Sequence, residues 1–186
     1  MKTIEIAVYQ FSELSDPAKD VARDWYRNWA LHYEWWDSTY EDAANVGLKI
    51  TEFVLDRDRH ADGEFNCFGG AQQCAGLILK EHCATCETFK TATAFLADLA
   101  KLNAEIEVVD GDDETNADWE AWQEKRGLLC DDFLKSILED YSIMLQKEME
   151  YLLSDESVDE SIMANKYTFT EDGKRFVVRN QPLPVA

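Results

Sequence analysis

The chain has 186 residues, and its 38 acidic and 18 basic side chains leave a formal net charge of -20. Direct binding to nucleic acid or to an anionic membrane is disfavoured, because both need clustered lysine and arginine. Hydrophobic residues make up 46% of the chain and aromatic residues 12%, which excludes a purely acidic disordered polymer. We expect a folded protein whose negative field either keeps it soluble or forms its working surface.

The N-terminal sequence and the cysteines indicate a cytosolic protein. The first residues include Glu5 and Glu13 and contain no long apolar run, so no signal peptide is predicted. No segment has the roughly 20 apolar residues that a membrane-spanning helix needs. The five cysteines are irregularly spaced, which argues against a disulfide framework and favours reduced thiols.

The first part of the chain is predicted to alternate between strands and helices. Apolar and polar residues alternate at the start of the chain, which is typical of a half-buried strand. Ser15, Asp16 and Pro17 then form a helix start signal. The expected elements, in chain order, are a strand over 2–10, a helix over 16–29, a helix over 33–46, a strand over 48–55, a polar loop over 56–63 and a strand over 64–68.

The second part is predicted to be mainly helical, because its apolar residues recur at spacings of three and four. The expected elements are helices over 71–82 and 85–103, an acidic connector over 105–116, a long helix over 118–153, a short helix over 155–165 and strands over 167–170 and 175–178. Asp172-Gly173 suits the turn between the last two strands. We therefore predict a helix-rich α+β fold, with a single domain over 1–180, a small mainly antiparallel sheet and a flexible tail over 181–186.

The acidic residues concentrate in one region. Residues 105–160 contain 19 Asp and Glu but only four Lys and Arg. A long helix carrying regularly spaced carboxylates would resemble the charge line of a nucleic-acid duplex. The alternative is an ordinary solvated helix face that only improves solubility.

Exposed tryptophans beside acidic residues are typical anchors of protein interfaces. Trp35 and Trp36 are adjacent, so both cannot point equally inward, and Trp35 is taken as the exposed one. The predicted partner-binding residues are Trp35, Trp119, Glu120, Glu124, Asp131, Asp132, Glu139, Asp140 and Glu148.

Two polar clusters offer candidate chemistry. Cys83-x-x-Cys86 has the spacing of a zinc-binding pair, but no second pair completes a tetrahedral site, and the alternative is thiols at a helix junction. A thioredoxin-like role is disfavoured because a helix, not a strand, is predicted before Cys83. His60, Asp62 and Glu64 could bind a divalent cation or perform acid–base catalysis, although a charged hairpin loop explains them equally well.

Four segments carry a resemblance to a known family. They are Leu14-Ser15-Asp16-x-Ala18-Lys19, Trp36-Asp37-Ser38-Thr39-Tyr40-Glu41-Asp42-Ala43, Thr85-Cys86-Glu87-Thr88-Phe89-Lys90-Thr91-Ala92 and Ala164-Asn165-x-Tyr167-x-Phe169-Thr170-x-Asp172-Gly173. The chain resembles a family of small acidic proteins encoded by bacteriophages and prophages, some of them labelled antitoxin-like. The family supplies no catalytic or metal-binding residues, and it tends to have glycine where Cys83 stands, which disfavours a zinc site.

The resemblance implies a protein that acts in the cytoplasm of an infected bacterial cell by binding a host protein. The expected partner is a defence nuclease or nucleic-acid-guided complex whose basic channel the acidic helix would block, which would be an anti-CRISPR activity in the case of a CRISPR complex. No cofactor, metal, direct nucleic-acid binding or membrane binding is expected. The alternatives are antitoxin-like neutralisation of a basic toxin and a small metal-dependent or nucleotide-modifying enzyme that uses His60, Asp62, Glu64 and His82.

Overall fold

A computed structural model of the chain describes residues 6–107 and 116–177, with the side chains of 106, 107 and 116–118 left undescribed. The fold is α+β and helix-rich, as the sequence predicts. The elements are β1 (Tyr9–Gln10), a 3-10 turn (Phe11–Glu13), α1 (Asp16–Ala30), α2 (Asp37–Asn45), β2 (Leu48–Val54), β3 (His60–Phe65), α3 (Gly70–Glu81), α4 (Glu87–Glu107), α5 (Asn116–Leu152), α6 (Asp155–Ala164) and β4 (Thr168–Phe169).

The chain divides into two compact units. Unit 1 combines Met1–Trp35 with Glu148–Ala186, whereas unit 2 is the continuous segment Trp36–Lys147. Most of α5 therefore belongs to unit 2, and its last five residues belong to unit 1.

Unit 1 is built around the contact between α1 and α6. The buried residues of α1 recur at every fourth position, and three of the four, Ala18, Ala22 and Ala30, are alanines, so the helix can approach its neighbours closely. Antiparallel pairing joins β1 to β4, with Tyr9 opposite Phe169. The buried residues of this core are Phe11, Leu14, Ala18, Ala22, Tyr26, Ala30, Val158, Ile162 and Phe169.

A glycine closes the C-terminal turn of unit 1. Gly173 has φ +81°, and a Cβ at this position would collide with the backbone carbonyl of Ala18. The turn is held by the Thr170 amide, which donates to the carbonyl of Lys174 at 2.9 Å. Asp172-Gly173 therefore forms the turn that the sequence predicts, and glycine is required there both for conformation and for space.

Unit 2 packs helices against an antiparallel pair of strands. Leu48 lies opposite Phe65, and the register of β2 and β3 shifts between Ile50 and Glu52. Apolar faces of α2, α3, α4 and α5 form the core. Its largest fully buried side chains are Val46, Leu48, Cys74, Ile78, Ile137 and Tyr141.

Several predicted boundaries are wrong. Residues 6–8 are not in a strand, and the second helix begins at Asp37 instead of 33, because residues 31–36 form turns. Residues 60–63, predicted as a loop, belong to β3, since pairing with β2 overrides the low β propensity of His-Ala-Asp-Gly. Within the last predicted strand, over 175–178, Arg175 forms an isolated antiparallel β-bridge with Phe169.

Other predictions hold or fall outside the described residues. The long helix is confirmed as α5, and the short helix after Ser154 is confirmed as α6, with the Ser154 hydroxyl accepting from the Ser157 amide. The acidic connector falls largely on residues 108–115, and the predicted tail on 181–186, both outside the described part. Within residues 6–107 and 116–177, no helix is long and apolar enough to cross a membrane.

Candidate functional site

The exposed side of α5 carries a cluster of carboxylates that we call the acidic face. At about 100° of rotation per residue, its five members fall within an arc of roughly 120° on the helix. All five are exposed. The members of the acidic face are Glu120, Glu124, Asp131, Asp132 and Glu139.

Ion pairs divide the acidic face into two parts. Glu139 forms a salt bridge with Arg59, and Asp132 lies 3.7 Å from Lys135. Glu120, Glu124 and Asp131 have no salt-bridge partner among the described residues. The carboxylates without an internal ion pair therefore lie between Glu120 and Asp131, a stretch of about 17 Å at 1.5 Å per residue that also contains Lys125 and Arg126.

A stacked pair of tryptophans, of which Trp119 is exposed and Trp122 half-buried, lies at the start of the same helix. The rings of Trp119 and Trp122 stack with their centroids 4.8 Å apart, and the Arg126 guanidinium lies 5.6 Å from the Trp122 ring centroid. Trp119 is 51% exposed, and Leu128 is also exposed. Trp119 precedes Glu120 and lies about 100° from it around the helix axis, whereas Leu128 falls within the arc of the acidic face. This end of α5 therefore presents exposed apolar area near Glu120 and Glu124.

Three of the predicted partner-binding residues do not lie on this surface. Trp35 is 9% exposed, so the expectation of an exposed anchor there is wrong. The expectation assumed that Trp35 and Trp36 share one helix, but both precede α2. Asp140 and Glu148 are half-buried, and the helix places them roughly 200° and 280° around the axis from Glu120, outside the arc.

The His60 cluster lies on a strand. The side chains of His60 and Asp62 are exposed, with Nε2 of the histidine 3.8 Å from Oδ2 of the aspartate. Glu64 forms a salt bridge with Lys49 at 3.0 Å. His82 is separate from this cluster and lines a cavity to which His60, Asp62 and Glu64 do not contribute. In residues 6–107 and 116–177, no group of three or more His, Cys, Asp and Glu side chains is arranged to hold a metal ion.

The cavity of unit 2 is a feature that the sequence did not predict. Its volume is about 440 Å³. The lining residues are Asp42, Glu81, His82, Cys83, Cys86, Glu87, Thr88, Asp140, Ile143, Met144 and Lys147. Four carboxyl groups and one lysine therefore surround the two cysteines of the Cys-x-x-Cys motif.

A buried polar network forms one wall of this cavity. The hydroxyl of Tyr141 donates to Oδ2 of Asp42 at 2.8 Å, and Tyr141 is fully buried. Burial, with Asp42 adding to it, raises the pKa of the tyrosine. His82 Nδ1 lies 2.8 Å from the Thr88 hydroxyl, which fixes the imidazole at the cavity wall.

A second carboxyl of the cavity is also structural. Asp140 Oδ2 accepts a hydrogen bond of 2.6 Å from the Thr91 hydroxyl. Burial raises the pKa of Asp140 from its ordinary value, although the Thr91 bond opposes this shift. Asp140 therefore joins α5 to α4 and is not a surface charge of the acidic face.

Cys83 and Cys86 are brought together by a tight turn before α4. The Cys86 amide donates to the Cys83 carbonyl at 3.0 Å, and the Cys86 carbonyl accepts from the Lys90 amide at 3.3 Å, which begins the helix. The two Sγ atoms lie 2.7 Å apart. Hydrogen bonds from Cys86 and then from Thr85 lower the pKa of Cys83 to about 7, whereas the shared proton raises the pKa of Cys86.

Comparisons of this chain with protein families, with curated proteins and with solved structures gave no match. The function of the chain is therefore inferred from the geometry and charge of the residues described above.

Proposed function

We propose that this protein is a phage-encoded acidic inhibitor that binds the basic nucleic-acid-binding surface of a host defence protein and blocks access of the nucleic acid. The partner would be a nuclease or a nucleic-acid-guided complex. The observation that carries the proposal is the acidic face of α5, on the same helix as the exposed Trp119, which precedes Glu120 in the sequence.

Charge complementarity supports this partner class. Carboxylates that have no ion pair within the described residues, as at Glu120, Glu124 and Asp131, can pair with arginine and lysine of a partner without first breaking an internal salt bridge. Such a surface accelerates association with a basic groove. The same negative charge lowers the affinity of this protein itself for nucleic acid. The net charge of -20 adds a long-range electrostatic attraction towards a basic partner.

The aromatic end of α5 supports binding to a protein. Tryptophan and arginine are enriched among the residues that contribute most to interface affinity. Trp119 stacks on Trp122, and the Arg126 guanidinium lies 5.6 Å from the Trp122 ring centroid. We infer that Trp119 provides the apolar contact and that the neighbouring carboxylates provide orientation and salt-dependent affinity.

The proposed contact covers only part of α5. A line of carboxylates along the whole of α5 would have imitated a duplex, but Asp140 is hydrogen-bonded to Thr91 and Glu139 to Arg59. The proposed contact is therefore a short acidic and aromatic patch. It occupies one segment of a nucleic-acid groove instead of following its full length.

Reversal of the acidic face is the experiment that tests the proposal. The variant carries Glu120→Lys, Glu124→Lys, Asp131→Lys and Asp132→Lys, and the control carries Glu41→Lys, Glu52→Lys, Asp56→Lys and Asp58→Lys, which are exposed and change the net charge equally. Partners are captured from bacterial lysate at low salt, eluted at high salt, and their affinity is measured by calorimetry. The face variant is expected to lose affinity by roughly a hundredfold or more, and the control by much less.

Three outcomes would contradict the proposal. Equal losses in both variants would show that only the total charge matters. An affinity that does not fall with salt would exclude an electrostatic groove contact. If the partner's own nucleic acid does not displace this protein from the captured partner, occupation of the nucleic-acid site is excluded. Capture of a small basic toxin would instead favour the antitoxin-like alternative.

A further inference from the structure

The Cys83–Cys86 turn and its acidic surroundings are independent of the acidic face and indicate a second activity. We propose that Cys83 and Cys86 form a reversible thiol–disulfide pair that exchanges with small cationic disulfides, with Cys83 as the attacking thiol and Cys86 as the resolving thiol.

The geometry places both thiols in position for this exchange. The Sγ atoms are 2.7 Å apart, so an internal disulfide needs little movement of the turn that already joins the two residues. Cys83 is exposed and Cys86 half-buried, whereas Cys74 is fully buried. A disulfide in solution therefore reaches Cys83 first, and Cys86 lies next to the mixed disulfide that results.

The local hydrogen bonds assign the order of attack. Cys83 is stabilised as a thiolate by bonds from Cys86 and Thr85, which hold its pKa at about 7. A thiolate fraction of about one half at neutral pH outweighs the lower intrinsic nucleophilicity of a more acidic thiol. The two effects together predict a rate roughly three- to eightfold above that of an ordinary cysteine. Burial raises the pKa of both Cys74 and Cys130, so these thiols react more slowly.

The reaction balances in two steps. The Cys83 thiolate attacks one sulfur of a disulfide, a bond forms between Cys83 and that sulfur, and the other half leaves as a thiolate that takes a proton from water. Cys86 then loses its proton to water and attacks the Cys83 sulfur, which releases the second half as a thiolate. The protein loses two electrons, the small disulfide is reduced to two thiols, and an excess of thiol reverses both steps.

The cavity next to the cysteines determines which disulfide is preferred. Asp42, Glu81, Glu87 and Asp140 line it, together with Lys147. Glu81 pairs with Lys80 and Glu87 with Lys90, each at 2.6 Å, so the carboxyl groups still outnumber the lysines but by less than the lining alone indicates. An amine-bearing disulfide is attracted to this surplus of carboxyl groups, while a carboxylate-bearing disulfide is repelled. The apolar side chains of Ile143 and Met144 provide a surface for the methylene groups of such a compound.

The test compares three disulfides with the reduced full-length protein. Cystamine is cationic, bis(2-hydroxyethyl) disulfide is neutral and glutathione disulfide is anionic. The rate of each disulfide with the protein is divided by its rate with 2-mercaptoethanol, so that differences in the intrinsic reactivity of the three disulfides cancel. At low ionic strength we expect cystamine to be preferred over glutathione disulfide by roughly tenfold or more, with the preference decreasing as salt screens the carboxylates.

Variants separate the roles of the two thiols. Wild-type protein is expected to give an internal disulfide by mass spectrometry, Cys86→Ser a stable mixed disulfide at Cys83, and Cys83→Ser a rate reduced at least roughly fivefold. Cys130→Ser is the matched control and should behave as wild type. The rate of the wild type should rise as pH passes through about 7 and that of Cys83→Ser only at higher pH, following the pKa of Cys83.

The charge contribution is tested with Glu81→Gln combined with Glu87→Gln, which should reduce the preference for cystamine several-fold while the neutral disulfide reacts as before. The proposal is overturned if mixed disulfides accumulate in the wild type, if Cys83→Ser reacts as fast as wild type, or if glutathione disulfide is preferred.

Discussion

The carboxylates of the two units are used in different ways. In unit 1, Asp159 of α6 holds the Arg23 guanidinium through two hydrogen bonds of 2.7 Å, and Asp155 pairs with Arg27. In unit 2, Glu120 and Glu124 of α5 have no salt-bridge partner among the described residues. The comparison shows that the acidic composition of residues 105–160 combines structural carboxylates with surface ones, so only part of that charge is free to meet a partner.

The largest effect on stability is expected from Asp159→Ala. The change removes both bonds to Arg23, a half-buried arginine that also lies 5.7 Å from the Phe11 ring centroid. Loss of charged hydrogen bonds at a partly buried site should lower the free energy of unfolding by about 2 kcal/mol. Urea denaturation followed by circular dichroism measures it.

Asp24→Ala is the matched control within unit 1. Asp24 is mostly exposed and pairs with Arg27 at 3.2 Å, so its removal should leave the urea midpoint almost unchanged. Equal losses from Asp24→Ala and Asp159→Ala would remove the distinction between structural and surface carboxylates in this unit.

A smaller effect is expected from Tyr141→Phe, which tests the structural role of Asp42 in unit 2. The change removes the 2.8 Å bond from the Tyr141 hydroxyl to Asp42 and leaves the ring in place. The free energy of unfolding should fall by about 1 kcal/mol, because the hydrogen bond from a buried hydroxyl to the partly exposed Asp42 is lost. Tyr151→Phe, at an exposed tyrosine, is the control, and an equal change in both variants would contradict the structural role of Asp42.

The smallest effect is expected from neutralising the three carboxylates of the acidic face that have no internal ion pair among the described residues. The combination of Glu120→Gln, Glu124→Gln and Asp131→Asn removes exposed carboxylates without internal ion pairs in the described part of the chain. The free energy of unfolding should change by less than about 0.5 kcal/mol, at both low and high salt. Thermal denaturation at two ionic strengths provides the measurement, and a larger destabilisation would mean that these carboxylates support the fold.

The helices of this fold could be predicted because their signals are local. The apolar spacing that predicts a helix over 118–153 agrees with α5, and Ser154 caps α6 as its position suggests. The strand that carries His60 and Asp62 could not be recognised, because charged residues and glycine have low β propensity and only the pairing with β2 makes them a strand.

The candidate site was predictable only in part. The angular positions of Asp140 and Glu148 on an ideal helix already differ from those of Glu120 and Glu124, so helical phase would have removed both from the acidic face before the structure was known. Burial of Trp35 could not be inferred from its adjacency to Trp36, since neither residue lies within α2. The cavity wall at Asp42 could not be predicted either. Asp42 accepts its hydrogen bond from Tyr141, 99 positions away in the sequence, and no local pattern specifies such a contact.

The antiparallel pairing of Tyr9 with Phe169 has a consequence for the synthesis of the protein. Unit 2 is one continuous stretch of sequence, so all of its core residues have left the ribosome before unit 1 receives Ile162 and Phe169. Domains generally fold as units during translation, and closing a loop of this length has to precede the contacts that stabilise unit 1. The apolar side of α1 is therefore expected to lack its partners in unit 1 until α6 and β4 have been synthesised. A stop codon before Phe169 would leave that apolar side accessible to proteases and chaperones.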